Sequence, residues 1–161
     1  MNIDPDALNR IFKQKHPHHH LIEATKHALG MYTDGLQNNL NLCLETTLAG
    51  HGATQRIQKA ATARYFLIGY FVGLNDVHLN LQRIRARVAR GGHDIPEPLV
   101  RKRYTESSTQ LIKVRHYFNE LHVIDNSQDA FSLQWSQYGH RVIHHTNSLE
   151  NWASMLLNAT P

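Results

Sequence analysis

The sequence predicts an α/β protein: a parallel sheet flanked by helices, in one domain spanning residues 1–161. Three observations carry that expectation. Segments with strand-like and helix-like apolar spacing alternate along the chain. The apolar run Leu40–Leu44 gives way to the polar Glu45-Thr46-Thr47, and open α/β sheets place ligands where a strand runs into such a loop. The 161 residues, 41% of them hydrophobic, suffice for one core, and neither an internal repeat nor a linker divides them.

Taken in order, Asp4-Pro5-Asp6 opens a helix with Ala7, Leu8, Ile11 and Phe12 on one side, and Asp6 is its expected N-cap. His16-Pro17-His18-His19-His20 interrupts that helix, and a second one runs from Leu21 to Leu36. After the Leu40–Leu44 strand, Ala53–Ala63 reads as a helix and Tyr65–Leu74 as a buried strand broken at Gly69. The next helix carries two stripes of equal spacing. Leu81, Ile84 and Val88 form an apolar one, while Arg83, Arg87 and Arg90 share another face. Gly91-Gly92 ends this helix, and Pro96 and Pro98 frame the start of the helix Leu99–His116. Leu121–Ile124 is a short strand ending at Asp125-Asn126-Ser127. His140–His144 is a further strand, and Leu149–Leu157 a closing helix.

The formal charge is +4, from 17 Lys and Arg against 13 Asp and Glu. Seven of the 17 basic residues fall between Arg83 and Arg103, where only Asp94 and Glu97 offset them. Such a patch suits an anionic partner: a nucleotide phosphate, a nucleic acid or an acidic protein. No apolar run approaches the ~20 residues that span a bilayer, so no membrane partner is expected. The His-rich N-terminal segment lacks the apolar stretch of a secretion signal. A lone Cys43 cannot form an internal disulfide, and its apolar neighbours predict a small core residue. These features point to a cytoplasmic protein. The histidines at 16–20 and His144-His145 have no Cys or acidic partners at a ligand-like spacing, so adventitious nickel or zinc binding is expected rather than a dedicated metal site.

Several segments, in order, resemble the zeta-toxin family of P-loop kinases. They are Ile3-Asp4-Pro5-Asp6-Ala7-Leu8, Leu44-Glu45-Thr46-Thr47-Leu48-Ala49-Gly50, Phe71-Val72-Gly73-Leu74, Arg87-Val88-Ala89-Arg90-Gly91-Gly92-His93-Asp94-Ile95-Pro96 and Arg103-Tyr104. Asp125-Asn126-Ser127 fits as well, so the resemblance covers roughly residues 3–127. It implies an enzyme class that uses ATP and Mg²⁺ to phosphorylate a hydroxyl. In zeta toxins the acceptor is the sugar 3′-hydroxyl of UDP-N-acetylglucosamine, and the transfer starves cell-wall synthesis. By the same resemblance Asp6 is the general base, and Glu45, Thr46 and Thr47 bind the acceptor. Arg83, Arg87, Arg90 and Arg103 grip the transferred phosphoryl group. Phosphoryl transfer rests on positioning and charge neutralisation, and the planar, permanently charged Arg fork suits phosphate oxygens.

The family begins with a strand, a G-x-x-x-x-G-K-[ST] loop and a helix ahead of the Asp6 segment. No such loop occurs in these residues. The resemblance therefore implies an N-terminally truncated kinase core lacking its first strand and phosphate loop, a unit of about 30 residues. ATP binding and phosphotransfer by this chain alone are expected to fail. The absent strand would lie between the strand ending at Glu45 and that near Phe71, so self-association or low stability is expected. Two other readings stand beside this one. The first is an interaction module derived from the kinase, binding a protein partner. The second is a basic nucleic-acid binder, ranked last because interleaved aromatics and a recognisable binding motif are lacking.

Overall fold

The computed structural model describes residues 1–15, 18–92 and 94–160. His16 and Pro17 of the histidine-rich segment, and His93 of the Gly-Gly-His signature, lie outside the described residues. The chain forms two compact units, Met1–Thr47 and Leu48–Pro161, both mixing helices and strands. The coarse expectation of mixed helices and strands is observed, whereas the expected parallel sheet is found only as two parallel strand pairs, the larger sheet being mixed.

The first unit is a β-α-α-β crossover: β1 (Asn2–Ile3), α1 (Pro5–Lys15), α2 (His20–Gln37) and β2 (Cys43–Leu44). The strands pair in parallel, Asn2 with Cys43 and Ile3 with Leu44. The pairing extends outward, because Cys43 N donates to Met1 O at 2.9 Å and Glu45 N to Ile3 O at 3.2 Å. Ile3, Ala24 and Tyr32 are buried. Gly35 is where α2 meets the returning chain: a Cβ there would stand 2.4 Å from Leu42 Cδ2 and 2.8 Å from Met1 Cε, so only glycine fits without movement. The predicted strand Leu40–Leu44 shrinks to two residues, and Cys43 is exposed rather than in the core. A strand two residues long, paired on one side, leaves this side chain in solvent.

The second unit holds α3 (His51–Thr62), β3 (Ile68–Gly73), α4 (Val77–Ala89), α5 (Glu97–Val114), a 3₁₀ turn (Arg115–Tyr117), β4 (Glu120–Asp125), β5 (Ser132–Tyr138), β6 (Arg141–His144) and α6 (Asn151–Asn158). Its sheet runs β3-β4-β5-β6 and is mixed. β3 and β4 are parallel, joined by a second β-α-α-β crossover through α4 and α5, while β5 and β6 return antiparallel. The core gathers Leu111 and Val114 of α5, Leu121 and Val123 of β4, Trp135 of β5 and Leu156 of α6, each at most 3% exposed. Trp135 is fully buried, and its indole N–H donates to Ala153 O at 2.9 Å, meeting the hydrogen bond a buried indole needs.

Two expectations about strands are corrected. Tyr65–Leu74 is neither buried on both faces nor broken at Gly69. It is the edge strand β3, with Ile68, Tyr70 and Val72 at 51%, 69% and 51% exposure. Gly69 continues the strand on the packed face, where a Cβ would come 2.8 Å from Phe118 and 3.0 Å from Leu121. β5 was not predicted at all. A bulge between Val123 and Ile124 leaves Gln134 as the extra residue, since Trp135 pairs with Val123 and Leu133 with Ile124. Gln134, Trp135, Ser136 and Gln137 are all buried, and the alternation that announces a strand is absent.

Candidate functional site

In the first unit the candidate residues follow the carboxyl ends of β1 and β2. Asp4 leaves β1 and caps α1: its Oδ1 accepts from Asp6 N at 2.9 Å and Ala7 N at 3.0 Å. Pro5 fills the first helical position, where a missing N–H costs nothing. The expected N-cap, Asp6, is thereby corrected to Asp4, because the chain turns into the helix two residues earlier. Asp6 sits exposed in the first turn, its carboxylate not engaged in capping. Glu45, Thr46 and Thr47 follow the adjacent β2 and are also exposed.

In the second unit the carboxyl ends of β3 and β4 are tied through Asp125-Asn126-Ser127. Gly73 and Asp125 are register partners. Asp125, 2% exposed, accepts from Ser127 N (2.9 Å), Ser127 Oγ (2.7 Å) and Trp152 Nε1 (3.1 Å). Ser127 Oγ in turn accepts from Asn75 N at 2.8 Å, and Asn126 N donates to Gly73 O at 2.9 Å. Gly73 must lack a side chain, since a Cβ would meet the Trp152 ring at 2.4 Å. Two groups from the crossover helices reach the same junction. Arg83 Nη1 donates to Asn126 O at 2.6 Å, and Tyr104 Oη to Leu74 O at 2.8 Å. Burial, with Asp76 and Asp125 nearby, raises the Tyr104 phenol above its ordinary range.

α4 begins at Asp76, whose side chain accepts from His78 N at 2.8 Å. As the spacing predicts, Arg83, Arg87 and Arg90 share a face. With Ala86, Gly91 and Gly92 they line an open groove of about 470 Å³. The helix ends in a Schellman motif: Gly92 N donates to Arg87 O at 3.0 Å and Gly91 N to Val88 O at 2.9 Å. Gly91 takes the left-handed conformation this requires, at φ 84°. The basic stretch divides by its partners. Arg101 grips Glu97 with two nitrogens at 2.9 and 2.7 Å, and Arg85 reaches the same carboxylate at 3.4 Å. The Arg101 hydrogen bond above all holds the Glu97 carboxyl below its ordinary range. Lys102 lies 3.8 Å from Glu106. Arg103, on α5, is half-buried and is not among the residues lining the groove. The groove is thus lined by three arginines, of which Arg83 also bonds the Asn126 carbonyl past the end of β4. Guanidinium side chains gathered in this way suit an anion.

One polar array carried no sequence signal. His122 Nδ1 lies 2.8 Å and His145 Nε2 3.0 Å from Ser136 Oγ, while Glu120 Oε2 lies 3.7 Å from His122 Nε2. A serine with no exposed surface cannot meet a substrate, so the array is a tie across β4, β5 and the end of β6. Only the register, which pairs His122 with Ser136, brings these residues together. Among the described residues, no group of three or more His, Cys, Asp or Glu is arranged to hold a metal ion. None of the described helices is long and apolar enough to cross a membrane.

Fold and site together define an α/β protein with two parallel crossovers and an arginine-lined groove on the helix that follows β3. The chain belongs to the same family as a protein of Haemophilus influenzae described as uncharacterized. The two are 32% identical over 102 residues, which is 63% of this chain and 73% of the relative. No family model matches the sequence, and no solved structure matches it.

Proposed function

We propose that this chain is a derivative of a zeta-toxin-like, ATP-dependent small-molecule kinase that retains acceptor-binding and phosphoryl-gripping residues but transfers no phosphate by itself. The observation that carries the reading is the common groove of Arg83, Arg87 and Arg90, bordered by Gly91 and Gly92. In such a kinase these guanidinium groups neutralise the moving phosphoryl group, while Asp6 takes the proton of the acceptor hydroxyl. Glu45, Thr46 and Thr47 would bind an acceptor of the sugar-nucleotide type. The finer fold reading belongs to the same proposal: the parallel pairs β1–β2 and β3–β4 are parts of a P-loop-kinase-like core. The 161 residues contain no G-x-x-x-x-G-K-[ST] loop, the segment that in the family cradles the ATP phosphates and supplies the Mg²⁺-bound hydroxyl, and the inactivity follows from that reading.

Calorimetric titration with inorganic pyrophosphate and with UDP-N-acetylglucosamine tests the reading. Arg87→Ala and Arg90→Ala should each weaken binding about tenfold, the equivalent of one hydrogen bond to a charged group, roughly 1.5 kcal/mol. Affinities indifferent to both substitutions would sink it. With ATP and Mg²⁺ present, labelled-phosphate transfer should stay at background. Turnover that disappears in Asp6→Asn would refute the inactivity while supporting the assigned base. A second reading, an interaction module built on the same kinase scaffold, is favoured by the exposed apolar residues of β3. Nucleic-acid binding ranks last and should be weak, salt-sensitive and indifferent to sequence.

A further inference from the structure

Among the described residues, β3 is the edge strand of its unit's sheet, and its unpaired backbone and exposed face belong to the same three residues. Leu67 O accepts from Asn119 N at 3.0 Å and Glu120 N at 3.1 Å, and Gly73 O accepts from Asn126 N at 2.9 Å. Along a strand, the N–H and C=O of a residue point to one side and alternate with the next residue. Leu67, Gly69, Phe71 and Gly73 therefore address β4, while Ile68, Tyr70 and Val72 address the open edge. Those three side chains are more than half exposed, and Phe66 beside them is 63% exposed. Edge strands are normally guarded by lysine, proline, a bulge or inward charge. From Tyr65 to Asn75 there is neither a charged residue nor a proline, and the β3–β4 register runs without a shift. The Tyr70 ring is held on the sheet face by stacking on His122, at 4.9 Å between centroids and 24° between planes.

We propose that β3 is a homodimerisation strand, pairing antiparallel with β3 of a second copy about a two-fold axis at Tyr70. In that register Tyr70 faces Tyr70, and Ile68 of each copy faces Val72 of the other. All three outward residues then lie in hydrogen-bonded pairs, each exchanging both backbone bonds. Apolar side chains meet across the new strand pair, a contact that stabilises antiparallel sheets. Charge selects this arrangement over its alternatives. The nearest charged residues on either side of the strand are Arg64 and Asp76, both exposed. Arg64 lies in the turn that ends α3 and Asp76 caps α4, so the two flank the strand; antiparallel pairing brings the Arg64 end of each copy to the Asp76 end of the other, whereas parallel pairing brings like ends together. A patch that complements itself in this way is what a two-fold interface requires. The proposal rests on the geometry of β3 and is independent of the phosphotransfer reading.

Sedimentation over a concentration series, combined with cysteine cross-linking in a Cys43→Ser background, tests it. Facing residues of hydrogen-bonded antiparallel pairs have Cα atoms about 5.5 Å apart, within disulfide reach. Tyr70→Cys should therefore cross-link to itself under mild oxidation. Ile68→Cys should cross-link to Val72→Cys in a mixture, but neither of these with itself. Tyr70→Lys sets two ammonium groups face to face and should shift the chain to monomer, with its circular dichroism retained. Arg64→Asp should weaken the dimer by setting carboxylates against carboxylates. The proposal is overturned by a monomer at every concentration, by a dimer in which Ile68→Cys cross-links to itself, or by a dimer without the Tyr70→Cys bridge. Cross-linking of folded wild-type-like chains remains decisive even if Tyr70→Lys fails to fold.

Discussion

Gly92 lies directly against the stem of Arg87. Its amide donates to the Arg87 carbonyl at 3.0 Å, and a Cβ at Gly92 would stand 2.6 Å from Arg87 Cγ and 2.8 Å from Arg87 O. The second of these contacts is with backbone, so a rotamer change alone cannot relieve it. The Gly-Gly pair therefore has two distinct tasks. Gly91 supplies the left-handed residue that stops α4, and Gly92 leaves room for the Arg87 stem. Gly91→Ala should cost about 1–2 kcal/mol in a denaturant melt, the usual penalty of a left-handed L-residue. Gly92→Ala should destabilise the helix end and also reduce pyrophosphate binding, because it displaces Arg87. An alanine at 92 that leaves both measurements unchanged would show that the close approach constrains nothing.

The capping of α1 separates two aspartates that the sequence could not separate. Asp4→Ala should lose about 0.5–2 kcal/mol of stability, as removal of an N-cap does. Asp6→Asn should cost no more than the roughly 0.3–1 kcal/mol of a charge in the first helical turn. Urea melts of the two variants compare the costs, and a larger loss at Asp6 would reverse the assignment.

Residues whose signals are local were read well from the sequence. The Arg83/Arg87/Arg90 face follows from helical spacing, and the end of α4 follows from Gly91-Gly92; both are found in the structure. Signals that depend on a partner strand were not legible. β5 shows no alternation, because Gln134 to Gln137 are all buried, and Gln134 is satisfied partly by a distant group, its Oε1 accepting from Glu150 N at 2.8 Å. The apolar β3 suggested burial on both faces, because hydrophobicity does not reveal whether a strand has one neighbour or two. For the same reason the Glu120, His122, Ser136 and His145 array was invisible until strand register was known. The distinction between Asp4 and Asp6 turned on a two-residue choice of helix start, where sequence reading is least determinate.

Tyr104 gives the fold a dependence on alkaline pH. Its phenol is raised chiefly by burial, then by Asp76 and Asp125, and it donates to Leu74 O at 2.8 Å. The folded state thus holds the proton more tightly than the unfolded chain, whose tyrosine titrates near about pH 10. The stabilisation is full below that pH and is lost as pH rises through the higher folded value. Tyr104→Phe should remove this alkaline slope and cost about 0.5–1.5 kcal/mol at neutral pH from the lost hydrogen bond. Thermal melts between neutral and alkaline pH provide the comparison. An identical alkaline slope in wild type and variant would assign the dependence to other groups.

Asp125 ties the ends of β3 and β4 to the groove, so its removal should be felt at a distance. Its carboxylate is buried and accepts three hydrogen bonds, from Ser127 N, Ser127 Oγ and Trp152 Nε1. Asp125→Ala leaves those donors facing a void, and each buried unsatisfied donor costs about 1–3 kcal/mol. Asp125→Asn retains one acceptor oxygen but sets an NH₂ group among donors, so it too should destabilise, though by less. The turn at Asn126 carries the carbonyl that anchors Arg83, which gives a second readout. In Asp125→Asn, pyrophosphate affinity should fall together with stability, whereas Trp135, held through Ala153 on the core side, should keep its near-ultraviolet dichroism. A folded Asp125→Asn chain with unchanged affinity would mean that the turn does not set the position of Arg83. In that case the anchoring of this arginine would lie in α4 alone.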